Sequence, residues 1–344
     1  MTDQNTPEPE GSTVRIDVHA HYWAQSYLDL LIDLGRTDLK RFPGQPDDLA
    51  DRLAVMDSVD VDYQVFSAVG LNTVLDDPAD AVTAAQFING LYSDACARFD
   101  GRFRGFATVP LPHLDEAIAE TERALADPAI VGVGLPCSIS GVPIDDPSFE
   151  PFWANLARHG ATTVYIHPVG TDSEIHPGLG DWNLSMAYGS PLQIALAPTR
   201  ILFSGLSTRY PDLQFVFALG GGILPFLWPR QERAIGRSMA MARADGRPHY
   251  LDGLVSDQEH PLDGLRRFWF DCSTQDLPLT LAAVRDTYGA DRLVLGSDET
   301  HASLVEAVAY LQDSEYLTDD EREAALDRNA QSFLHLPVRT PVPV

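Results

Sequence analysis

The chain has 344 residues, of which 50 are acidic and 24 basic, so its formal net charge is −26. So acidic a surface repels phosphate backbones, which excludes nucleic acid as an expected partner. The length allows one α/β barrel or two smaller domains, and a hydrophobic content of 44% is ordinary for a globular protein. A single lysine, Lys40, argues against an enzyme that works through a lysine Schiff base.

The chain ends and the cysteines indicate where the protein works. Residues 1–13 are acidic and polar, without a basic segment or an apolar core, so we expect a disordered tail and not a signal peptide. We expect a second loose tail over 337–344 and a single domain over 14–336. The cysteines, Cys96, Cys137 and Cys272, form neither a disulfide framework nor a zinc-finger pattern. This cysteine pattern fits a reducing cytoplasm, where we expect the protein to lie. Since no apolar run is as long as a membrane span, we expect no membrane partner.

Apolar, β-branched segments alternate along the chain with segments of helical periodicity. The predicted strands are 16–22, 61–69, 103–110, 130–136, 162–168, 214–220, 268–273 and 293–298. Helices are predicted over 115–126, 146–158 and 278–288. Strand–helix alternation is typical of a parallel sheet, and eight units predict an α/β fold, a closed (β/α)8 barrel of the TIM type. A doubly wound open sheet is the alternative, although no Gly-x-Gly-x-x-Gly follows the first strand.

Two long segments interrupt this alternation and are interpreted as insertions. Residues 171–198 follow the fifth strand, and residues 227–265 follow the sixth. Loops that follow barrel strands lie at the C-terminal mouth, where active sites are found. We therefore expect both insertions to border the active site.

The residues that end three of the strands predict a metal site. His19 and His21 are two apart in the first strand, so they share one face. His167 ends the fifth strand and Asp298 ends the eighth. In a closed barrel the eighth strand lies beside the first, and the fifth faces them across the axis. Three imidazoles and a carboxylate at the mouth would bind Zn²⁺, Fe or Mn and leave a position open for water, which the metal acidifies.

Taken singly, these residues have ordinary explanations. The two strand histidines can be incidental, His167 can be a core histidine bonded to the backbone, and Asp298 can cap the following helix. The coincidence of four such residues at the ends of strands one, five and eight favours the metal site.

The first strand and several later motifs resemble a known family. The opening Ile-Asp-Val-His-Ala-His-Tyr (16–22) resembles the amidohydrolase superfamily, in particular the branch of aminocarboxymuconate-semialdehyde decarboxylase and related aromatic-acid decarboxylases. Further matching motifs are Arg-Phe-Arg-Gly-Phe-Ala-Thr-Val-Pro (102–110), Tyr-Ile-His-Pro (165–168), Arg-Tyr-Pro-Asp-Leu (209–213), Gly-Ser-Asp (296–298) and Asn-Ala (329–330). The resemblance extends from about residue 15 to residue 336.

The resemblance implies a barrel with one metal, held by His19, His21, His167 and Asp298. Binuclear relatives bridge two metals with a carboxylated lysine at the end of the fourth strand, but here that strand ends in Gly-Leu-Pro-Cys (134–137). One divalent metal per chain is therefore expected, with zinc preferred and iron or manganese as alternatives. Cys137 is a weaker candidate for an additional ligand.

One position departs from the family pattern. The family usually carries His-x-Gly-Gly after the sixth strand, and that histidine takes part in proton transfer, but here Leu219 occupies the position. A decarboxylase must protonate the carbon that loses CO₂, and leucine has no proton to give. His176, Glu299 or His301 are candidate replacements, and we name Asp298 and His301 as the expected catalytic residues.

Two residues are expected to contact the substrate. Arg230 matches a family arginine that can meet a substrate carboxylate, sometimes across a dimer interface, and the guanidinium fork suits that task. A structural salt bridge is the alternative. Trp182, like Tyr188 in the same segment, either lines the pocket or packs the insertion.

These observations support two functions of different classes. The first is a mononuclear metal-dependent lyase or hydrolase, decarboxylase-like, that acts on a small carboxylate. The second, motivated by Leu219, is a catalytically silent metal-bearing subunit paired with a related barrel subunit; the resemblance allows it because the α-aminoisobutyrate hydroxylase system pairs two amidohydrolase-like subunits for oxygenase chemistry. An oxygenase in its own right needs a second site, for which the sequence offers no clear ligands. We accordingly expect a homo-oligomer or a hetero-oligomer.

Overall fold

The computed structural model describes residues 14–169, 178–179, 181–252, 263–273 and 277–338. Its centre is a sheet of parallel strands that neighbour one another in chain order. The strands are β1 (Ile16–His21), β2 (Tyr63–Ser67), β3 (Phe103–Ala107), β4 (Ile130–Pro136), β5 (Thr163–His167), β6 (Gln214–Phe217), β7 (Trp269–Asp271) and β8 (Leu293–Val294).

The last strand returns to the first, which closes the sheet. The Val18 N–H donates to the Leu295 carbonyl at 3.0 Å, and Ala20 pairs in parallel with Glu299. The predicted (β/α)8 barrel is therefore confirmed, and the doubly wound open sheet is wrong because its edges would not meet.

Helices surround the barrel and follow the strands in the expected alternation. The α-helices are α1 (Gln25–Asp33), α2 (Ala50–Ser58), α3 (Pro78–Arg98), α4 (Leu114–Leu125), α5 (Glu150–Leu156), α6 (Ser190–Phe203), α7 (Leu206–Arg209), α8 (Leu224–Ala244), α9 (Pro278–Tyr288), α10 (Leu304–Gln312), α11 (Asp319–Glu323) and α12 (Asn329–Leu334). The start of α3 shows how the sequence sets a boundary: the Asp77 side chain accepts the Ala79 N–H at 2.8 Å, and Pro78 opens the helix. None of the described helices is both long and apolar enough to cross a bilayer.

The first strand is buried along its whole length although half of it is polar. Val18 and Ala20 are fully buried on one face, whereas Asp17, His19 and His21 alternate with them on the other. Burying polar groups is costly unless they are hydrogen-bonded. The hydrogen-bond partners of Asp17, His19 and His21 therefore indicate why these polar side chains are buried inside the barrel.

Seven of the eight strands end earlier than predicted, and the ends of the sixth and the eighth concern the site. The sixth stops at Phe217 because Leu219–Gly221 forms a tight turn in which Leu219 has φ of 55°. The eighth stops at Val294, because the Ser297 and Asp298 N–H groups both donate to the His19 carbonyl and Asp298 has φ of 57°. In each case left-handed backbone replaces extended backbone where a side chain is aimed at the mouth.

The predicted insertions are described in part. After β5, a π-helical turn over Ser185–Gly189 leads into α6, and after β6 the long helix α8 follows. Residues 170–177, 180 and 253–262 lie outside the described residues, as do the predicted tail over 1–13 and residues 339–344 of the tail predicted over 337–344.

Candidate metal centre

The sequence-predicted ligands meet at the C-terminal mouth of the barrel. One ligand atom from each of His19, His21, His167 and Asp298 lies within 4.8 Å of the others. His19 Nε2 lies 3.3 Å from His21 Nε2 and 3.1 Å from Asp298 Oδ1, and His21 Nε2 lies 3.2 Å from the same oxygen. The side chains of His19 and His21 on β1 and of Asp298 in the turn after β8 thus converge on one position.

The three imidazole rings stand nearly perpendicular to one another. Their interplanar angles are 90° for His19 with His21, 81° for His19 with His167 and 83° for His21 with His167, with centroids 4.8 to 5.1 Å apart. Perpendicular rings can direct their nitrogen lone pairs to one point without stacking. This arrangement suits a tetrahedral or octahedral ion.

The distal nitrogens of the two strand histidines are held by the protein. His19 Nδ1 lies 2.9 Å from Asp271 Oδ2 and 3.0 Å from Ser273 Oγ. His21 Nδ1 lies 3.1 Å from the Ser67 carbonyl oxygen. Since a carboxylate and a carbonyl only accept, both Nδ1 atoms carry a proton and both Nε2 atoms are free to bind metal.

A buried carboxylate fixes the backbone between the two ligand-bearing segments. Asp17 Oδ1 accepts the N–H groups of His19 at 3.1 Å and Ser297 at 2.9 Å, and its Oδ2 accepts the Ser297 hydroxyl at 2.6 Å. Gln64 adds a fourth donor at 2.8 Å. Burial raises the pKa of Asp17 to about 6, against the effect of these hydrogen bonds.

Two buried atoms of the cluster lack a hydrogen bond, and they test whether the site fits a metal. His167 Nδ1 has no partner, and no hydrogen bond of suitable geometry reaches Asp298 Oδ1 although two imidazoles are close. Unsatisfied buried polar atoms are costly, and a cation among them removes that cost. The four residues therefore fit a single divalent ion, with His19, His21, His167 and Asp298 as its ligands.

The charges of the metal-free cluster have a clear pattern. Burial opposes protonation of His19, but the carboxylates of Asp271 and Asp298 outweigh it and raise the pKa of His19 to about 10. Burial lowers the pKa of His21, and lowers that of His167 well below its usual range. Burial works against ionisation of Asp298, yet the neighbouring His19 holds its pKa well below the usual range. Of the three imidazoles, His19 is therefore the one that most readily carries a second proton.

A cavity of about 520 Å³ opens above the cluster, with His167 and Asp298 in its wall. Most of its other walls are apolar and come from Trp23, Phe42, Leu71, Met186 and Leu219. Its remaining polar side chains are those of Ser190, Ser273 and His301. Among the described residues, no lysine or arginine lines it. The space suits a small, flat organic molecule.

Three residues were predicted to take over proton transfer from the histidine expected after the sixth strand, and they lie in different places. His301 lines the cavity, with its ring 5.6 Å from that of His21. Glu299 points elsewhere, since its carboxylate accepts from Gln64 at 2.8 Å and pairs with Arg52 at 3.3 Å. His176 lies outside the described residues. Leu219 itself lines the cavity.

The structure does not bring the remaining predicted residues to the cavity. Trp182 is 86% exposed and Arg230 is exposed on α8, and neither is among the lining residues. Tyr188 is exposed as well. Cys137 is buried, and burial raises the pKa of its thiol; it is not part of the ligand cluster. Within one chain, Arg230 and Trp182 therefore stay outside the site.

Comparison with protein families accounts for this constellation. A family model described as Amidohydrolase matches residues 16–336. The chain belongs to the amidohydrolase family. The four candidate ligand residues all fall within the matched region, and the resemblance seen in the motifs is confirmed.

Curated relatives in this family are named as decarboxylases. The chain is 27% identical over 291 residues to 2-amino-3-carboxymuconate-6-semialdehyde decarboxylase of Dictyostelium discoideum, covering 83% of this chain and 76% of the relative. It is 29% identical over 194 residues to γ-resorcylate decarboxylase of Rhodococcus jostii, covering 52% of this chain and 57% of the relative.

Solved structures share the fold at lower sequence identity. A 5-carboxyvanillate decarboxylase from Sphingomonas paucimobilis superposes with a TM-score of 0.77 at 20% identity, covering 95% of this chain and 100% of that one. The enzyme of the same name from Novosphingobium aromaticivorans, solved with bound manganese, gives 0.78 at 19% identity, covering 96% and 99%. At such identities the likeness establishes the barrel architecture.

The sequence predicted the four candidate ligands but not the residues that hold them in place. Asp17, Asp271 and Ser273 were not selected, although they complete the surroundings of His19. A signal was present, because Asp271 and Ser273 end the predicted seventh strand just as His167 ends the fifth. Strand ends in a barrel converge whether or not their side chains bind the metal directly.

Proposed function

We propose that this protein is a metal-dependent carboxy-lyase that removes CO₂ from a small, flat carboxylic acid. The observation that carries the proposal is the His19, His21, His167 and Asp298 cluster at the floor of a cavity of about 520 Å³. Two relatives named as decarboxylases, one of an aminocarboxymuconate semialdehyde and one of γ-resorcylate, support this reaction over hydrolysis.

We propose one divalent ion per chain, bound by the four ligand residues. A bound divalent ion supplies positive charge that orients and polarises the oxygen atoms of a substrate. Three imidazoles and a carboxylate accept either Zn²⁺ or Mn²⁺. The sequence favoured zinc, but a structural neighbour was solved with bound manganese, so both ions belong in the first experiment.

The cavity walls have separate tasks in this proposal. Trp23, Phe42 and Leu219 cover the faces of a flat substrate and exclude water from the reacting carbon. Loss of CO₂ leaves an electron pair on that carbon, which must receive a proton. Among the described lining residues, His301 is the titratable side chain outside the ligand set, so we assign the proton transfer to it. Asp298, whose pKa is held low, is the weaker candidate.

Arg230 keeps a role only if a second chain supplies it. In one chain it lies outside the cavity, and no described cationic side chain lines the walls. A substrate carboxylate would gain from a guanidinium contributed across an interface. We therefore retain a homo-oligomer, or a hetero-oligomer with a related barrel, as part of the proposal.

The test is CO₂ release by the purified full chain, loaded separately with Mn²⁺ and Zn²⁺. The substrate panel contains hydroxybenzoates, methoxybenzoates and unsaturated aliphatic acids. Turnover that disappears in His301→Asn and persists in His159→Asn supports the proposal, since His159 is exposed and remote from the cavity lining. A fully metal-loaded protein that releases no CO₂ from any acid contradicts it.

A second function is favoured by one observation, the leucine in the cavity wall. Leu219 places a hydrocarbon where the family pattern has a proton-transferring histidine, as a catalytically silent metal-bearing subunit would allow. This function predicts that the metal-loaded chain is inactive alone and that a related barrel protein co-purifies with it. Activity of the isolated chain contradicts this second function.

A further inference from the structure

Asp271 in β7 is the most heavily hydrogen-bonded side chain near the metal cluster, and it is fully buried. Its oxygen Oδ2 accepts from His19 Nδ1 at 2.9 Å and from the Tyr165 hydroxyl at 3.2 Å. Its Oδ1 accepts from the Leu219 N–H at 2.9 Å, and from the Ser273 N–H at 3.1 Å and hydroxyl at 2.6 Å. One carboxylate therefore joins β1, β5, β7 and the turn after β6.

These contacts fix the proton on the His19 ring. The Ser273 hydroxyl proton is directed to Asp271 Oδ1, so the Ser273 oxygen offers His19 only a lone pair, as does Asp271 Oδ2. Every neighbour of His19 Nδ1 is an acceptor, which keeps a proton on Nδ1 and leaves Nε2 for the metal.

The same carboxylate holds the cavity wall. Leu219 has φ of 55°, a left-handed conformation that a leucine rarely adopts. Its N–H donates to Asp271 Oδ1, and its side chain lines the cavity. The hydrogen bond compensates for an unfavourable backbone conformation, so the position of the wall depends on Asp271.

Close packing at Gly296 permits the contact between Asp271 and His19. A Cβ placed on Gly296 would lie 2.7 Å from the Asp271 Cβ and 2.9 Å from the His19 Cβ. Only a glycine in the neighbouring segment lets the two side chains approach each other in this way.

We propose that Asp271 is a positioning residue that couples the metal ligand His19 to the cavity wall at Leu219. Through Oδ2 it aims His19 Nε2 at the metal, and through Oδ1 it holds the left-handed turn that presents Leu219 to the substrate. The inference rests on the metal site of the proposed function, but it does not depend on the reaction.

The first test compares the affinity of the full chain for Mn²⁺ and for Zn²⁺ in Asp271→Asn and Tyr165→Phe, by competition with a chelator. The asparagine cannot accept on both sides, so we expect binding weaker by about 10- to 100-fold, whereas Tyr165→Phe, which removes a different partner of the same oxygen, should change it by less than about threefold. Unchanged affinity in a folded Asp271→Asn protein, or an equal loss in both variants, overturns the proposal.

Two spectroscopic readings separate positioning from a general loss of stability. A proton held between His19 Nδ1 and a carboxylate gives a far-downfield NMR signal, which should vanish in Asp271→Asn and persist in Tyr165→Phe. Hydrogen exchange of the Leu219 amide should speed up by about tenfold or more in Asp271→Asn alone. If the NMR signal persists in Asp271→Asn, Asp271 does not hold the His19 proton. If exchange of the Leu219 amide is unchanged, Asp271 does not hold the cavity wall. Either result overturns the proposal.

If Asp271→Asn does not fold, Ser273→Ala carries the test. It keeps the carboxylate and removes the hydroxyl that faces His19 Nδ1, so binding weaker by about three- to tenfold is expected and unchanged binding overturns the proposal. Failure of the proposed reaction is distinguishable, because a chain that binds metal and responds to these variants without releasing CO₂ contradicts only the reaction. A wild-type chain that binds no metal contradicts both.

Discussion

The two sides of the metal cluster are held very differently. On the side where β1 meets the turn after β8, His19 and His21 each have a protein partner on Nδ1, and Asp298 donates its N–H to the His19 carbonyl at 2.8 Å. On the opposite side, His167 Nδ1 has no partner, and the neighbouring wall residue is an apolar leucine, Leu219.

This difference indicates how the site is assembled. Where β1 meets the turn after β8, the protein alone fixes rings, tautomers and backbone, so that half of the site exists before any ion binds. The His167 side depends on the ion itself for its final geometry. The predictions below test this contrast, beginning with the largest effect.

Matched alanine substitutions should separate the two sides most clearly. In metal-free protein, His19→Ala leaves Asp271 buried without its cationic partner and should lower the free energy of unfolding by roughly 3 kcal/mol. His167→Ala breaks no hydrogen bond of Nδ1. Apart from the cost of the empty space that either alanine leaves, it should lower the free energy of unfolding by about 1 kcal/mol or less. Urea denaturation in the presence of a chelator measures both. Equal losses would show that the two sides are held alike.

A smaller effect is expected from the serine that ties the two segments together. The Ser297 hydroxyl donates to Asp17 Oδ2 at 2.6 Å and accepts the Glu299 N–H at 3.1 Å. Ser297→Ala should therefore lower the free energy of unfolding by roughly 1–2 kcal/mol, whereas Ser58→Ala, on an exposed helix position, should change it by less than about 0.5 kcal/mol. If the two variants have the same free energy of unfolding, Ser297 does not stabilise this side of the site.

Metal binding should release a proton, and the proton should come from His19. Its pKa is raised to about 10, whereas those of His21 and His167 are lowered. The ion then displaces about one proton at pH 7 to 9, and its apparent affinity rises about tenfold per pH unit in that range. In the metal-free protein, the stabilisation due to protonated His19 is present below pH 6.5 and is lost as the pH rises through about 10. Calorimetry in buffers of different ionisation enthalpy counts the protons, and a count of zero would contradict the assignment.

One substitution tests the role of the apolar wall on the His167 side of the site. Leu219→His restores a titratable group to the cavity wall, and histidine tolerates the left-handed backbone better than leucine does. We expect kcat for CO₂ release to increase by up to about tenfold, which is less than a well-positioned general acid contributes, with little change in metal affinity. Leu219→Met, which adds no proton donor, is the control. An equal increase in both variants would assign the effect to the shape of the wall.

The barrel and the convergence of the four candidate ligands were predictable because both follow from periodicity. Alternation placed His19 and His21 on one face, and the closure of eight strands brought His167 and Asp298 to them, so positions in the sequence translate directly into positions at the mouth. The early ends of β6 and β8 were not predictable, because they depend on left-handed φ at Leu219 and Asp298, which neither residue type announces.

The supporting residues were harder to predict for a different reason. The contact of His19 with Asp271 joins residues far apart in sequence through a single pair of atoms, and it depends on a close approach at Gly296. The expected placement of Arg230 and Trp182 at the pocket rested on family resemblance and on a segment length, and neither fixes where a side chain on a long connection points.

The most direct test of the account is the ion content of the purified chain after loading with Mn²⁺ or Zn²⁺ and removal of free metal. The account predicts about one ion per wild-type chain, about one in the His159→Ala control and less than about 0.1 in the double variant His19→Ala, His21→Ala. An empty wild-type protein, two ions per chain, or an ion retained by the double variant would contradict it.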